Sequence, residues 1–297
     1  MTRETAAPPA VTPRPGAGQF ADGTRLGWWS VGSGPGLLVV HGAMQSGLSQ
    51  LDLARELAGT RTVHLLDRRG RGRSGPWPAG GFDVSAEVAD VIAAARATGS
   101  ADVLGISSGA ILALRAALTD PGIERVAAFE PPIAVAGSIR MDQIERFGRE
   151  YAEGRLVEAM VTAMRAAEMG PAFLRFVPRG LLCAVTARML RRDDASTPAL
   201  GVPHLRELAL ALPADLRIVA DNADRAGDFA GLRVRTALLA GSATRPYLRT
   251  AVHALAAVIP GARSVVLPGT NHAATQNRDQ YGRPERVAPA IAEFFGA

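Results

Sequence analysis

Ser107 stands in Gly105-Ile106-Ser107-Ser108-Gly109, a G-x-S-x-G run that carries chemistry only when a strand leads into it and a helix leads out. Both flanks fit. Asp102 to Leu104 reads as a short buried strand, and Ala110-Ile111-Leu112-Ala113-Leu114 opens a helix that is apolar on nearly every face. A serine on so tight a turn is held in a strained backbone conformation with its Oγ exposed, the posture a nucleophile needs. Gly105 and Gly109 lack a Cβ, so strand and helix can approach on either side. The backbone N–H of Ser108 then falls at a helix N-terminus, where free donors favour a developing oxyanion.

The elements that must position this serine can be read in chain order. Asp22-Gly23 between Gln19-Phe20-Ala21 and Thr24 to Val31 predicts a hairpin. Leu37-Leu38-Val39-Val40 is a continuous apolar run, as in a parallel strand covered on both faces, and it enters His41-Gly42-Ala43-Met44. The loop after such a strand supplies a second oxyanion donor, here the N–H of Ala43; His41 reads as a structural histidine bonding that loop. Arg61 to Leu66 is the next strand, ending at the turn Asp67-Arg68-Arg69-Gly70-Arg71-Gly72-Arg73-Ser74-Gly75. A phosphate loop would need Gly-Lys-Ser/Thr and a dinucleotide fingerprint a helix after its third glycine. Pro76-Trp77-Pro78 follows instead, and the turn reads as a structural loop pinned by Asp67 and the arginines.

Composition excludes several classes. At 47% hydrophobic content the 297-residue chain is not a disordered protein. No apolar run reaches membrane-spanning length, and Met1 to Gly18 lacks the apolar centre of a secretory signal; it reads as a disordered leader to a cytoplasmic protein. Every basic residue is arginine, scattered among acids without aromatic interleaving, so the net charge of +5 does not indicate a nucleic-acid groove. The lone Cys183 permits neither an intrachain disulfide nor a thiolate zinc site, and its apolar neighbours predict a small buried core residue.

The motifs His41-Gly42-Ala43-Met44, Asp67-x-Arg69-Gly70-x-Gly72-x-Ser74 and Gly105-x-Ser107-x-Gly109 each follow a strand. With Gly269-x-x-His272 near the C-terminus, they resemble the α/β-hydrolase superfamily from about residue 19 to the end. The resemblance implies a mostly parallel central sheet flanked by helices, with a helical lid inserted after the sixth strand, Arg125 to Phe129. It implies the division 1–18 leader, 19–132 and 229–297 core, and 133–228 lid. Helical stretches are expected at Met141–Glu153, Arg155–Met169, Ala172–Arg191 and His204–Leu212, with Met44, Met160, Met164, Phe173 and Phe176 lining a pocket over the nucleophile. His272, in the loop after the last strand, takes the place of the general base.

The third member is out of its usual place. The family's acid generally follows the strand that ends here at Gly241, yet no Asp or Glu occurs from Phe229 through Arg278. Haloalkane dehalogenases of the same superfamily carry the acid after the sixth strand, where this chain has Glu130-Pro131-Pro132. Glu130 is therefore the expected partner of His272; a lid acid (Asp221, Asp224 or Asp228) or a dyad are the alternatives. The resemblance implies a serine hydrolase for a small to medium, largely apolar ester, lactone or thioester, with no metal or organic cofactor. Its partner is a small-molecule substrate, not nucleic acid or membrane. Acyl transfer, a non-hydrolytic reaction or ligand binding on the same fold is the competing expectation.

Overall fold

The computed structural model describes residues 12–78, 81–198 and 201–296. Eight strands form one sheet: β1 (Arg14–Gln19), β2 (Arg25–Gly32), β3 (Gly36–Val40), β4 (Thr62–Asp67), β5 (Asp102–Ile106), β6 (Arg125–Phe129), β7 (Arg235–Gly241) and β8 (Arg263–Leu267). Their spatial order is β1-β2-β4-β3-β5-β6-β7-β8; β1 and β2 run antiparallel at one edge and β4 to β8 pair in parallel. The helices are α1 (Leu51–Leu57), α2 (Val84–Thr98), α3 (Ser108–Thr119), α4 (Met141–Ala152), α5 (Leu156–Ala166), α6 (Arg179–Asp194), α7 (Leu205–Leu210), α8 (Leu212–Asp221), α9 (Pro246–Val258) and α10 (Pro284–Phe295).

Alternation along the strands divides the core between the sheet's two faces. Leu38, Val40, Val103, Val126, Ala128, Leu238 and Ala240 pack with α2, α3 and α9. Leu37, Val39, Val63, Leu65, Leu104, Ile106, Phe129 and Leu239 pack with α1 and α10. Both faces are covered, which is why these strands read as unbroken apolar runs. The chain leaves β3 towards β4 on one side and returns to β5 on the other. The loops after β3 and β5 thus flank a reversal of strand order, the place beyond the strand ends where open α/β sheets bind their ligands.

Three expectations are corrected. Of the predicted leader, residues 1–11 lie outside the described residues, while Arg14–Gln19 forms β1, paired to β2 from Arg14 opposite Ser30 to Gln19 opposite Arg25. The strand survives its proline because it lies at the edge, and Gly16 leaves room for the indole of Trp28, 2.2 Å from where a Cβ would stand. Ala172–Arg191 is not one helix: a 3-10 turn over Ala172–Phe176 is separated from α6 by Pro178. Cys183, on α6, is half-buried rather than buried. The helix α8 after Leu212 was not expected at all; Pro213 in its first turn starts it, where no intrahelical N–H is required.

Candidate active site

The turn between β5 and α3 puts Ser107 at φ 54° and ψ −126°, a conformation that costs an L-residue about 1–3 kcal/mol. It is held there by close packing. A Cβ on Gly105 would lie 2.4 Å from the Cα of Ala110, and one on Gly109 would lie 2.3 Å from the carbonyl oxygen of Val40. The Ser107 N–H donates to Phe129 O at 2.9 Å, tying the turn to the end of β6.

His272 arrives from the loop after β8, and its Nε2 lies 3.2 Å from Ser107 Oγ. Its Nδ1 lies 2.6 Å from Glu130 Oε2. Glu130 is fully buried, and its backbone takes φ 49° at the end of β6, with its N–H donating to Leu239 O at 2.9 Å. Gly241 N–H donates to Glu130 Oε1 at 2.7 Å, and the Thr244 hydroxyl to Oε2 at 2.8 Å. Each oxygen of the buried carboxylate therefore has a partner. The ring of Phe129 stacks on that of His272, with centroids 6.4 Å apart. Burial, then the charge of Glu130, pushes the Tyr247 hydroxyl above its ordinary range.

On the other side of Ser107 lies the loop after β3. A Cβ on Gly42 would stand 2.8 Å from Ser107 Cβ, so the glycine lets that loop close on the serine. The N–H groups of Ala43 and Ser108 are not taken up by any backbone or side-chain acceptor among the described residues. His41 is buried; its Nδ1 lies 2.8 Å from Gly42 O and its Nε2 accepts from the N–H of Arg68. Burial, with Arg71 and Arg68 close by, holds its pKa well below the ordinary imidazole value. A neutral ring hydrogen-bonded at both nitrogens is a brace.

The three acids entertained as alternatives are engaged elsewhere. Arg217 pairs with Asp221, Asp224 accepts from the N–H of Ala136, and Asp228 pairs with Arg115 and Arg225. Of the expected pocket residues, Met44 packs against Phe147, Ala159, Ala163 and Leu212. Met160 and Met164 are half-buried on α5. Phe173 and Phe176 stand in solvent at 62% and 75% exposure, because the 3-10 turn between Pro171 and Pro178 keeps them off the helices; Arg175 covers one face of Phe176.

Sequence reasoning missed Asp215. It sits in the first turn of α8, fully buried, and its Oδ1 accepts from Ser108 Oγ at 2.7 Å and Arg68 Nη1 at 2.6 Å; Oδ2 accepts from Arg71 Nη2 at 2.5 Å. Burial alone would raise its pKa, but Arg71 and Arg68 outweigh it and hold the carboxyl below its usual value. The helix-start signal of Leu212-Pro213-Ala214-Asp215, followed by Leu216 and Val219 at helical spacing, was available to find it. Among the described residues no group of three or more His, Cys, Asp or Glu side chains is placed to hold a metal ion, and no helix is long and apolar enough to cross a membrane.

The model of the alpha/beta hydrolase family matches residues 37–290. The chain is 29% identical over 277 residues to the pimeloyl-[acyl-carrier protein] methyl ester esterase of Xanthomonas campestris pv. campestris, covering 90% of this chain and 97% of that one. It is 35% identical over 109 residues to the N-formylmaleamate deformylase of Pseudomonas putida, 36% of this chain and 41% of that one. Among solved structures, an alpha/beta hydrolase from Sphaerobacter thermophilus superposes with a TM-score of 0.73 at 33% identity, over 94% of this chain and 100% of that one.

Proposed function

Because this chain belongs to the alpha/beta hydrolase family, we propose that it is an ester hydrolase working through a serine nucleophile, with Ser107, His272 and Glu130 as its triad. The observation that carries the reading is the unbroken line of contacts from Glu130 Oε2 through His272 to Ser107 Oγ, 2.6 Å and 3.2 Å long.

Each group has a part that follows from its surroundings. His272 Nε2 takes the Ser107 proton as Oγ adds to the acyl carbonyl. The fixed Glu130 carboxylate keeps the other proton on Nδ1 and stabilises the imidazolium. The N–H groups of Ala43 and Ser108 receive the oxyanion; one such donor is typically worth about 3 kcal/mol in the transition state. His272 then returns its proton to the leaving alkoxide, and a water activated by the same ring releases the acid.

The acyl part of the substrate lies against Met44 and the α5 side chains Met160 and Met164, with the helices between β6 and β7 acting as a lid. This favours a small to medium, largely apolar acyl group. The methyl ester in the name of one relative agrees with a small leaving alcohol. The absence of an acid after Gly241 is the feature of the sequence that favours a non-hydrolytic protein on this fold. It loses that force, because Gly241 and Thr244 cradle Glu130 there.

Turnover of a series of acyl methyl and p-nitrophenyl esters, with fluorophosphonate labelling, tests the proposal. Wild type is expected to label and turn over, and Ser107→Ala to do neither. Unlabelled Ser107 in folded wild-type protein overturns it.

A further inference from the structure

The two N–H groups assigned to the oxyanion belong to segments more than sixty positions apart in the chain, yet one guanidinium touches both. Arg68 Nη1 donates to His41 O at 3.2 Å, two residues before Ala43, and to Ser108 Oγ at 3.2 Å. The Arg68 backbone N–H donates to His41 Nε2, also at 3.2 Å. Glu87 grips the far side of the guanidinium at 2.7 and 2.9 Å. Asp215 closes the arrangement, accepting from Arg68 and from Ser108 Oγ. All five residues are at most 2% exposed.

We propose that Arg68 and Asp215 are positioning residues for the oxyanion pocket, and that docking of helix α8 completes that pocket by bringing Asp215 onto Ser108. Asp215 comes from the helical segment between β6 and β7, whereas Arg68 and Ser108 belong to the core. Helix α8 is seated from three sides. Ile218 joins the core cluster of α3, Leu212 and Leu216 pack with Ala43 and Met44, and Asp215 lies in the turn between. One helix thus bears on both walls of the pocket, sharing an apolar cluster with Ala43 and taking the hydrogen bond of Ser108 through Asp215.

A purely stabilising role explains the cluster poorly. A buried ion group recovers its desolvation cost only when its remaining protons are satisfied. Here Arg71, the second cation on Asp215, keeps Nε and Nη1 buried with no partner. What such a cluster does supply is fixed geometry, and displacement of a catalytic donor by an ångström costs up to about a hundredfold in rate.

This inference rests on the ester-hydrolase reading. Ser108→Ala tests it cleanly, since it keeps the N–H and leaves Arg68 and Asp215 paired. We expect kcat to fall about tenfold with KM within twofold. The inhibition constant of an aryl boronic acid should rise by the same factor while the melting temperature holds. Asp215→Ala should lower kcat further, and the double variant should lose no more than Asp215→Ala alone, because both single changes remove the Ser108–Asp215 bond. Ser108→Ala with unchanged kcat and boronate affinity overturns the proposal, whether or not Asp215→Ala folds. Should wild type prove inert to esters and fluorophosphonate, the ester-hydrolase reading falls by itself. Amide hydrogen exchange at Ala43 and Ser108 then decides the positioning role: faster in Ser108→Ala supports it, unchanged refutes it.

Discussion

Glu130 and Gly241 close the gap between two neighbouring strand ends: the Gly241 N–H donates 2.7 Å to Glu130 Oε1, while the other oxygen of the same carboxylate faces His272. Replacing Glu130 with Gln keeps the shape and removes the charge. On the proposed mechanism, kcat for an aryl ester should fall about 10³–10⁴-fold with little change in KM, because an amide neither holds the right tautomer nor balances the imidazolium. Steady-state kinetics reads this directly.

The strain at Ser107 predicts a trade of stability for activity. Ser107→Gly should abolish turnover yet raise the melting temperature by about 2–3 °C. Relief of about 1–3 kcal/mol of backbone strain exceeds the 0.5–1 kcal/mol or so that a flexible glycine costs. Ser107→Ala, with its Cβ retained, should lose activity without that gain. Scanning calorimetry separates the two.

Glycines at the elbow and on the surface should respond in opposite directions. A methyl at Gly109 meets Val40 O at 2.3 Å and His41 O at 2.4 Å, so Gly109→Ala should destabilise by at least about 2 kcal/mol. Gly148, inside α4, has nothing within 4 Å of the added Cβ. Gly148→Ala should stabilise by about 0.5–1 kcal/mol in urea unfolding.

Asp67 makes stability depend on pH. Burial pushes its pKa from 3.8 up to about 6, against the N–H donors of Arg73 and Gly47. The folded protein therefore holds this proton to higher pH than the unfolded chain does. The contribution is fully present below about pH 4 and is lost as pH rises through about 6, roughly 3 kcal/mol in all. Asp67→Asn should flatten the fall in stability between pH 4 and 6, leaving the share of Asp90, which burial also pushes up to about 6. Chemical denaturation across that pH range measures the slope.

Phe173 and Phe176 have little burial to lose, so Phe173→Ser and Phe176→Ser should leave stability within about 0.5 kcal/mol. Met44→Ala, which opens the contact with Phe147 and Leu212, should raise KM for a medium-chain ester. Parallel kinetics on the three variants makes the comparison.

The core was legible because its signals are local: four apolar residues before His41, a G-x-S-x-G between strand and helix, Asp-Gly in the hairpin. Glu130 was singled out because a region without carboxylates is visible in one dimension and the resemblance to haloalkane dehalogenases offered the end of β6 in its place. Asp215 was not, because its meaning lies in contacts with Ser108, 107 positions away, and Arg68, 147 away. Helical periodicity cannot say which turn of a helix meets which loop. The same limit hides the exposure of Phe173 and Phe176, which stand on a 3-10 turn between two prolines and not on a longer helix.

Glu130 at the end of β6 and its cradle, Gly241 and Thr244, at the end of β7 lie on neighbouring strands, and the cradled carboxylate faces His272. On the proposed mechanism, a lineage could pass the negative charge from one strand end to the other by two substitutions, leaving Ser107 and His272 untouched. The intermediate bearing both carboxylates would be viable only if one of them stayed protonated, because like charges crowded around a single ring repel. The route between the two arrangements is thus narrow but short, and a protein of this kind marks one end of it.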